Sequence, residues 1–490
     1  MMSTLTRFFS KPLSIFKPIS SRILNWIVLT AGLIMLAAFI IFRLTSYGPW
    51  GASMSTLDTD SYLVAARIPT FSYEFLTSLR SPSYPLLFQV LGPVDQYKIT
   101  KVSQPYSHAE GQLVKQPGFD RVVNFQVWVS VFCWSILSLV LFLRLRNGWV
   151  RLFAMASVLF FGFSPQMADW DSLIMTESLS FSLFALLLAL MIELAFSMLG
   201  NPPRRRLRVW LILTSTTLIT VFWVFLRDTN VYFIPVTLIL IAGLLILSLR
   251  RLKEVILPLV LFFALMIGAY AVQQVTFRAS ERWLLPFYNN VTRGIFPFPM
   301  RVAYFQKYGM PVSDTILSYR GSQPLEAMDP SSDFVVWARQ NGLTVYSRFI
   351  VEHPGYIALS LWEDMDSLWS TNVQPYFFQS GSERPSWLVL FANYLHPVVP
   401  LPILLDGLLT LVLLYVAFQH RDRETLIWAW VALWFYAISM ALLVLGYAGE
   451  MRSVLRHVMG GVVPLRMGIW ILLAITADLL LSPRRMSAGS

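Results

Sequence analysis

Asp58 and Asp60 stand two residues apart in STLDTDSYLVAARIP (residues 55–69), with Tyr62 and an apolar run directly after them. A carboxylate within hydrogen-bond reach of a hydroxyl can take its proton as the oxygen attacks, so this pair is a candidate for acid–base work. Basic side chains that suit an anionic ligand occur elsewhere: Arg80, Arg227, and Arg452, Arg456 and His457 in GEMRSVLRHVMGG (449–461). Guanidinium forks bind phosphate oxygens in bidentate fashion. Arg452 and Arg456 are spaced i, i+4, which predicts one helical face, with His457 beside them. SPQMADWDSLIMTESLSFSLFALLLAL (164–190) adds Asp171 in a turn and Glu177 at the mouth of an apolar run.

Each of these residues also has a purely structural reading. Asp before an apolar helix commonly caps it and is stabilised by the helix dipole. A single arginine at an interface often snorkels toward lipid headgroups. Ser178, Ser180 and Ser182 read best as helix–helix hydrogen bonding, whereas for Glu177 structure and function weigh equally, because an ionisable group in a span usually faces protein or water.

What positions these residues follows from composition. Of 490 residues, 56% are hydrophobic and only 13% charged, against about 25% charged in a soluble domain. A spanning helix needs about 20 mostly apolar residues. About ten such runs occur, near 22–43, 124–143, 149–165, 174–198, 209–226, 231–249, 255–274, 398–418, 425–446 and 460–481. The first is too long for a cleavable leader and has no small-residue cleavage site after it. The fold class read here is therefore an all-α polytopic membrane protein.

Basic residues set the orientation. Arg7, Lys11, Lys17 and Arg22 precede the first run; Arg144, Arg146 and Arg151, PPRRRLR (202–208), LRRLK (249–253), HRDR (420–423) and PRR (483–485) follow even-numbered ones. All fall on one side if spans alternate. This predicts a multi-pass membrane protein with both termini cytoplasmic. The net charge of +11 is then topological, which argues against nucleic acid as a partner. The lone Cys133 excludes an intrachain disulfide and a cysteine metal site.

Two long connections face the other side, 44–123 and 275–397. The chain divides into a membrane module (1–274), a large extracytoplasmic subdomain (275–397) and C-terminal membrane helices (398–490). In the first loop, residues 61–68 place Tyr62, Ala65 and Ile68 at spacings of three, which suits a short amphipathic interfacial helix. LRSPSYPLLFQVLG (79–92) is a second such piece, expected to pair with it. The loop acids Asp333, Asp364 and Asp366 and Trp337, Trp362 and Trp369 suit sugar binding or plain packing of a small subdomain.

LDTDSYLVAARIP, RSPSYPLL, DWDSLIMTESLSFSLFAL, FLRDTN and GEMRSVLRHVMGG together resemble the C-type glycosyltransferase superfamily (GT-C). The nearest likeness is to bacterial relatives of protein O-mannosyltransferases and lipid A aminoarabinose transferases. The resemblance implies a hexosyl- or pentosyltransferase that takes a sugar from a polyprenyl-phosphate donor at the extracytoplasmic face, with inversion. Its acceptor hydroxyl belongs to a glycan, lipid or protein. The family's catalytic acid falls on Asp58 or Asp60, and this chain lacks the adjacent Asp-Glu pair of the mannosyl branch. The phosphate-holding group implied is Arg80, Arg227, Arg452, Arg456 and His457, and the likeness also implies the plasma membrane of a bacterium. An oxocarbenium-like centre would gain from a nearby carboxylate, which gives Asp171 or Glu177 a secondary role, and Tyr62 completes the expected substrate-binding set.

No cofactor is required by these residues. Asp58 and Asp60 could take a divalent cation through hard oxygens, but no third ligand at a suitable spacing accompanies them. His108, His353 and His396 show no zinc spacing. Two other classes compete with the enzyme: a lipid or glycolipid flippase, which calls for charged groups at mid-membrane where only Asp406 stands, and a non-catalytic membrane scaffold.

Overall fold

The computed structural model describes residues 21–45, 53–70, 72–100, 102–103, 116–200, 205–247, 255–321, 329–370, 374–376, 386–452 and 454–482. Arg7, Lys11, Lys17, 249–253, 483–485, His108 and part of 202–208 lie outside these. The helices that matter to the site are α1 (Ser21–Thr45), α2 (Leu57–Ala66), α3 (Ser83–Leu91), α4 (Asp120–Arg144), α5 (Gly148–Phe163), α6 (Glu177–Leu199), α7 (Arg205–Val224), α8 (Phe233–Leu247), α9 (Ile256–Ala279), α10 (Leu284–Asn290), α11 (Leu401–His420), α12 (Arg423–Gly449) and α13 (Val454–Leu481).

Among the described residues nine helices are long and apolar enough to cross a membrane, and the count is ten if α5 and Pro165–Ser172, which meet at a 51° bend, form one span. The protein is thus an all-α polytopic membrane protein. The bend falls at Ser164–Pro165, where the proline withholds a backbone donor and favours a fresh helix start.

Burial ranks the spans. The apolar windows of α6 and α13 are each 83% buried by protein, whereas that of α1 is 22% buried. A helix apolar on every side belongs in the middle of a bundle, and α6 and α13 form that middle. Glycine permits the closest approaches of α13. A β-carbon at Gly461 would collide with the backbone of Leu443 in α12, and one at Gly468 would meet Asp406 of α11 and Phe435 of α12. Away from the long connections, Arg144 Nε and Nη2 each donate to Glu193 over 2.6 Å, tying α4 to α6.

Two hydrophobic cores result. One fills the bundle. The second gathers aromatics of the 275–397 connection (Trp283, Phe287, Phe305, Phe334, Trp337, Phe349 and Trp369) against Leu443, Tyr447, Val458, Val462 and Leu465 at adjoining ends of α12 and α13. The large connection is therefore packed onto the last two spans. Arg466, fully buried, donates to the carbonyls of Trp369 over 2.6 Å and Pro397 over 3.0 Å.

A small β element fixes the first loop. Ser55–Thr56 pairs in parallel with Val102–Ser103, and Met54 forms an isolated bridge with Leu173. Met54 N–H donates to Ser172 over 2.8 Å and Ile174 N–H donates back to Met54 over 2.9 Å. The residues just before α2 are thereby laid beside those just before α6. This brings Asp58 near Glu177.

Candidate active site

Local chemistry places the acids. The start of α2 is capped by threonines: Thr56 N–H donates to Thr59 Oγ1 over 2.8 Å, and Thr59 Oγ1 donates to the Ile174 carbonyl over 3.1 Å. The carboxylate of Asp58 is thus not spent on capping. Tyr62 points inward and meets Tyr84 of α3 edge to face at 5.0 Å. Gln89 of α3 donates to the carbonyls of Ala66 and Ile68 over 2.9 and 2.8 Å. The two loop helices therefore pair, as the apolar pieces predict.

Asp58 lies between two guanidinium groups. Arg80 donates to its Oδ1, and Arg456 Nη1 donates to Oδ2 over 2.6 Å. Arg80 also donates from Nε to Ser61 over 2.6 Å and sits 4.7 Å over the Tyr62 ring. Arg456 turns its Nε to Glu177 Oε1 over 2.6 Å, and its Nη1 reaches the Tyr376 hydroxyl over 3.1 Å. Arg227 stands 3.5 Å from the same Glu177 oxygen, which is fully buried at the head of α6. Burial pushes the Asp58 carboxyl up, but the charges of Arg456 and Arg80 outweigh it and hold the group well below the usual carboxylate range. Burial pushes the Tyr62 phenol up.

A cavity of about 280 Å³ opens on this cluster. Arg80, Arg227, Arg282, Arg456, Asp228, Glu450 and His457 supply its charged and titratable lining, and Tyr232, Phe277, Trp283 and Phe287 its aromatic lining. Asp228 accepts from Ser81 over 2.7 Å and from Gln273 over 2.6 Å, and Arg282 Nε lies 3.3 Å from its other oxygen. Glu450 accepts from Asn289 and stands 3.7 Å from His457 Nε2. Burial pushes the Glu450 carboxyl up against the opposing influence of Asn289, Arg456 and Arg452.

The predicted residues divide accordingly. Asp58, Tyr62, Arg80, Glu177, Arg227, Arg456 and His457 come together. Asp60 does not: it is exposed on the other side of α2, and no ion pair to it is found among the described residues. Asp171 is 2% exposed and held by Arg43 and by Ser178 Oγ over 2.5 Å, so it braces α1 against the turn before α6 and does not line the cavity. Arg452 is exposed and precedes the first turn of α13, so the expected shared helical face with Arg456 does not form; its charge bears on Glu450.

Sequence reasoning missed Arg43, Asp228, Arg282, Asn289 and Tyr376. Arg43 had a signal, since it ends the first span on the side opposite the positive bias. Asp228 lies within FLRDTN, where only Arg227 drew attention, and Arg282, Asn289 and Tyr376 have no distinguishing spacing. The Asp58–Asp60 pair does not suit a divalent ion: both Asp58 oxygens already take guanidinium N–H groups, and Asp60 points elsewhere. Among the described residues no group of three or more His, Cys, Asp or Glu converges on one point.

Chemically, the cavity joins several fixed cations, an ionised carboxylate behind them and an imidazole. That set can hold a phosphate, stabilise negative charge as it develops, and accept a proton.

No protein-family model and no curated protein matches the chain. Solved structures align over most of it. Archaeal oligosaccharyltransferase AglB from Archaeoglobus fulgidus, in complex with an inhibitory peptide and a dolichol-phosphate, gives 12% identity and a TM-score of 0.40, covering 93% of this chain and 51% of that one. The Archaeoglobus fulgidus oligosaccharyltransferase in complex with Zn and sulfate gives 11% identity and a TM-score of 0.41, covering 93% and 50%. The apo form of that enzyme gives 12% and 0.40, covering 94% and 51%. This chain spans about half the length of these structures, and at such scores the likeness carries no functional argument.

Proposed function

We propose that this protein is an integral-membrane glycosyltransferase that moves a sugar from a polyprenyl-phosphate donor to a hydroxyl acceptor at the extracytoplasmic face. The observation that carries this reading is the placement of Arg80, Arg227, Arg282 and Arg456 on the wall of one cavity at the membrane bundle's end, with Asp58 directly behind two of them. An isoprenoid phosphate is already a competent leaving group. It needs charge stabilisation more than protonation, and guanidinium groups fixed in a partly dehydrated site supply that without reorganising.

In this reading Arg80 and Arg456 exchange part of their hold on Asp58 for the donor phosphate. The released carboxylate then faces the sugar, where it stabilises the oxocarbenium-like centre or takes the acceptor proton. A single displacement of this kind inverts the anomeric centre. Tyr62 supports Arg80 from below, and Glu177 fixes the angle of Arg456. The 275–397 connection shapes the entrance for a glycan, lipid or protein acceptor.

The test is sugar transfer by purified protein in nanodiscs supplied with a panel of farnesyl-phosphate-linked hexoses and pentoses. Wild-type protein should release farnesyl phosphate in the presence of acceptor, and Asp58→Asn with Arg456→Met should reduce release at least 100-fold. Equal turnover by the folded double variant would refute the reading.

A further inference from the structure

Arg80 and Ser81 are neighbours in sequence, yet they serve different acids. Arg80 donates to Asp58, and Ser81 Oγ donates to Asp228 Oδ1 over 2.7 Å. Arg227 and Asp228 divide in the same way: Arg227 lies 3.5 Å from Glu177, while Asp228 faces Ser81. The two stretches are pinned side by side, since Ser83 N–H donates to the Phe225 carbonyl over 3.0 Å. Two acid-centred clusters therefore stand one residue apart along each stretch, about 3.8 Å of chain. We propose that Asp228 recognises the sugar being transferred, its Oδ2 accepting a hydroxyl hydrogen of the glycosyl group whose phosphate lies among the arginines. This rests on the sugar-transfer reading above and adds the residue that selects the sugar.

The two oxygens of Asp228 are unequally occupied. Oδ1 accepts from Ser81 and, over 2.6 Å, from Gln273 Nε2. Arg282 Nε stands 3.3 Å from Oδ2 without forming a hydrogen bond, and no other donor reaches that oxygen among the described residues. Each carboxylate oxygen has room for about two donors, so Oδ2 keeps open acceptor sites. The Asp228 side chain is also the most accessible of the four acids gathered here, 31% exposed against 25% for Asp58, 15% for Glu450 and 0% for Glu177. It lines the cavity, which Asp58 and Glu177 do not.

The carboxylate is held from three sides. Ser81 comes from the first loop, Gln273 from α9 and Arg282 from the start of the large connection, and all three are buried. Arg282 also donates from Nη1 to the Ser78 carbonyl over 3.2 Å. Asp228 opens the short helical turn Asp228–Tyr232, where an acid of purely local purpose would cap its own backbone. Its Oδ1 instead takes side chains 147 and 45 residues away. A fixed acceptor that is open on one side can tell hydroxyl patterns apart, because an analogue lacking the hydroxyl leaves it unpaired. The glycosyl group is joined directly to the phosphate and must lie beside the arginines, and Asp228 is the open acceptor next to Arg227. Tyr232 and Phe277, both half-buried, line the cavity and offer apolar ring faces to the C–H side of a sugar. Arg282 already balances charge at Oδ2, so a neutral hydroxyl suits it better than an ammonium, and a sugar carboxylate would meet like charge.

The experiment uses full-length protein in nanodiscs, with the farnesyl-phosphate-linked sugar and the acceptor that wild type turns over. Donors carrying the same sugar with one hydroxyl replaced by hydrogen, position by position, are compared by kcat/KM in wild type and Asp228→Ala. In wild type one position should cost about tenfold or more. In Asp228→Ala the parent donor should fall to the level of that deoxy analogue, and the ratio between the two should shrink to within about twofold. Penalties at the other positions, and the acceptor KM, should stay as in wild type. Asp228→Ala strands the charge of Arg282. Should it fail a thermal-unfolding check, Asp228→Ala with Arg282→Met removes both charges and is read in the same way. A residue that only supports the fold would lower turnover of every donor by one factor and leave the ratio unchanged, and that result would overturn the proposal. So would a wild type indifferent to every hydroxyl, an amino analogue preferred to its parent, or a change confined to the acceptor KM. Wild-type protein that turns over no donor in the panel would instead sink the sugar-transfer reading itself.

Discussion

Arg456 Nη1 lies 2.6 Å from Asp58 Oδ2 across 398 residues of sequence, while its Nε lies 2.6 Å from Glu177. One guanidinium thus spans the first loop, the head of a central helix and the start of the last helix. Lysine keeps the charge but has no planar fork to serve both acids at fixed angles. Arg456→Lys should therefore forfeit at least one charge-assisted bond, each about 1.5–3 kcal/mol. Since about 1.4 kcal/mol is tenfold in rate, kcat/KM in the nanodisc assay should fall roughly 10- to 100-fold. A change smaller than twofold would show that the two-way bridge is dispensable.

Asp58 and Asp60 are adjacent in pattern but opposite in environment. Asp58→Asn removes the anion between Arg80 and Arg456 and should reduce sugar transfer by roughly 100-fold or more, the scale of a lost proton-transfer or electrostatic group. Asp60→Asn alters an exposed side chain and should leave transfer within about twofold. Parallel assays of the two variants check this; the reverse ranking would relocate the site.

The same pair gives a signature in acid. The folded carboxyl of Asp58 sits below its ordinary value of 3.8 because Arg456 and Arg80 face it. A depressed folded value contributes stability in full above the unfolded value and loses it as pH falls below 3.8 toward the folded one. Thermal unfolding in detergent should show a midpoint that drops through this range in wild type and drops less in Asp58→Asn. The side chain is 25% exposed, so solvent screening keeps the effect modest. Identical slopes would mean that the ion pairs do not outlast the membrane.

Arg43 and Asp171 form a pair with side-chain exposures of 0% and 2%. Removing one partner of a buried pair typically costs about 3–5 kcal/mol, because the other charge is stranded, whereas replacing both is often nearly neutral. Arg43→Met should sharply lower the unfolding midpoint, and Arg43→Met with Asp171→Asn should recover much of the loss. A double-mutant cycle on thermal unfolding tests this; additive losses would argue against a mutually dependent pair.

Apolar run lengths made the spans readable, down to the third one, whose Ser164–Pro165 junction bends it. The two loop helices were also readable, because apolar pieces of that length, the second of them Pro-led, cannot cross a bilayer. The grouping of Arg80, Arg227, Arg456 and His457 followed from counting basic residues on the side opposite the topological bias. Arg43 passed unnoticed although the same count applies to it, and its partner Asp171 was assigned to the cavity instead. Their contact joins residues 128 positions apart, which depends on how spans pack and leaves no trace in local spacing. Arg452 misled for a different reason: its i, i+4 relation to Arg456 assumes a helix that has not yet begun at that point. The hold of Asn289 on Glu450 joins residues 161 positions apart, which no short motif encodes.

The glycines at 461 and 468 bear on how the molecule can move. With backbone or carboxylate of the neighbouring helices pressed directly against them, a shift of α13 by one residue would drive a β-carbon into its neighbours. From Gly461 onward the last helix is therefore held in register with α11 and α12, and Arg456, one turn earlier, is carried by that three-helix unit.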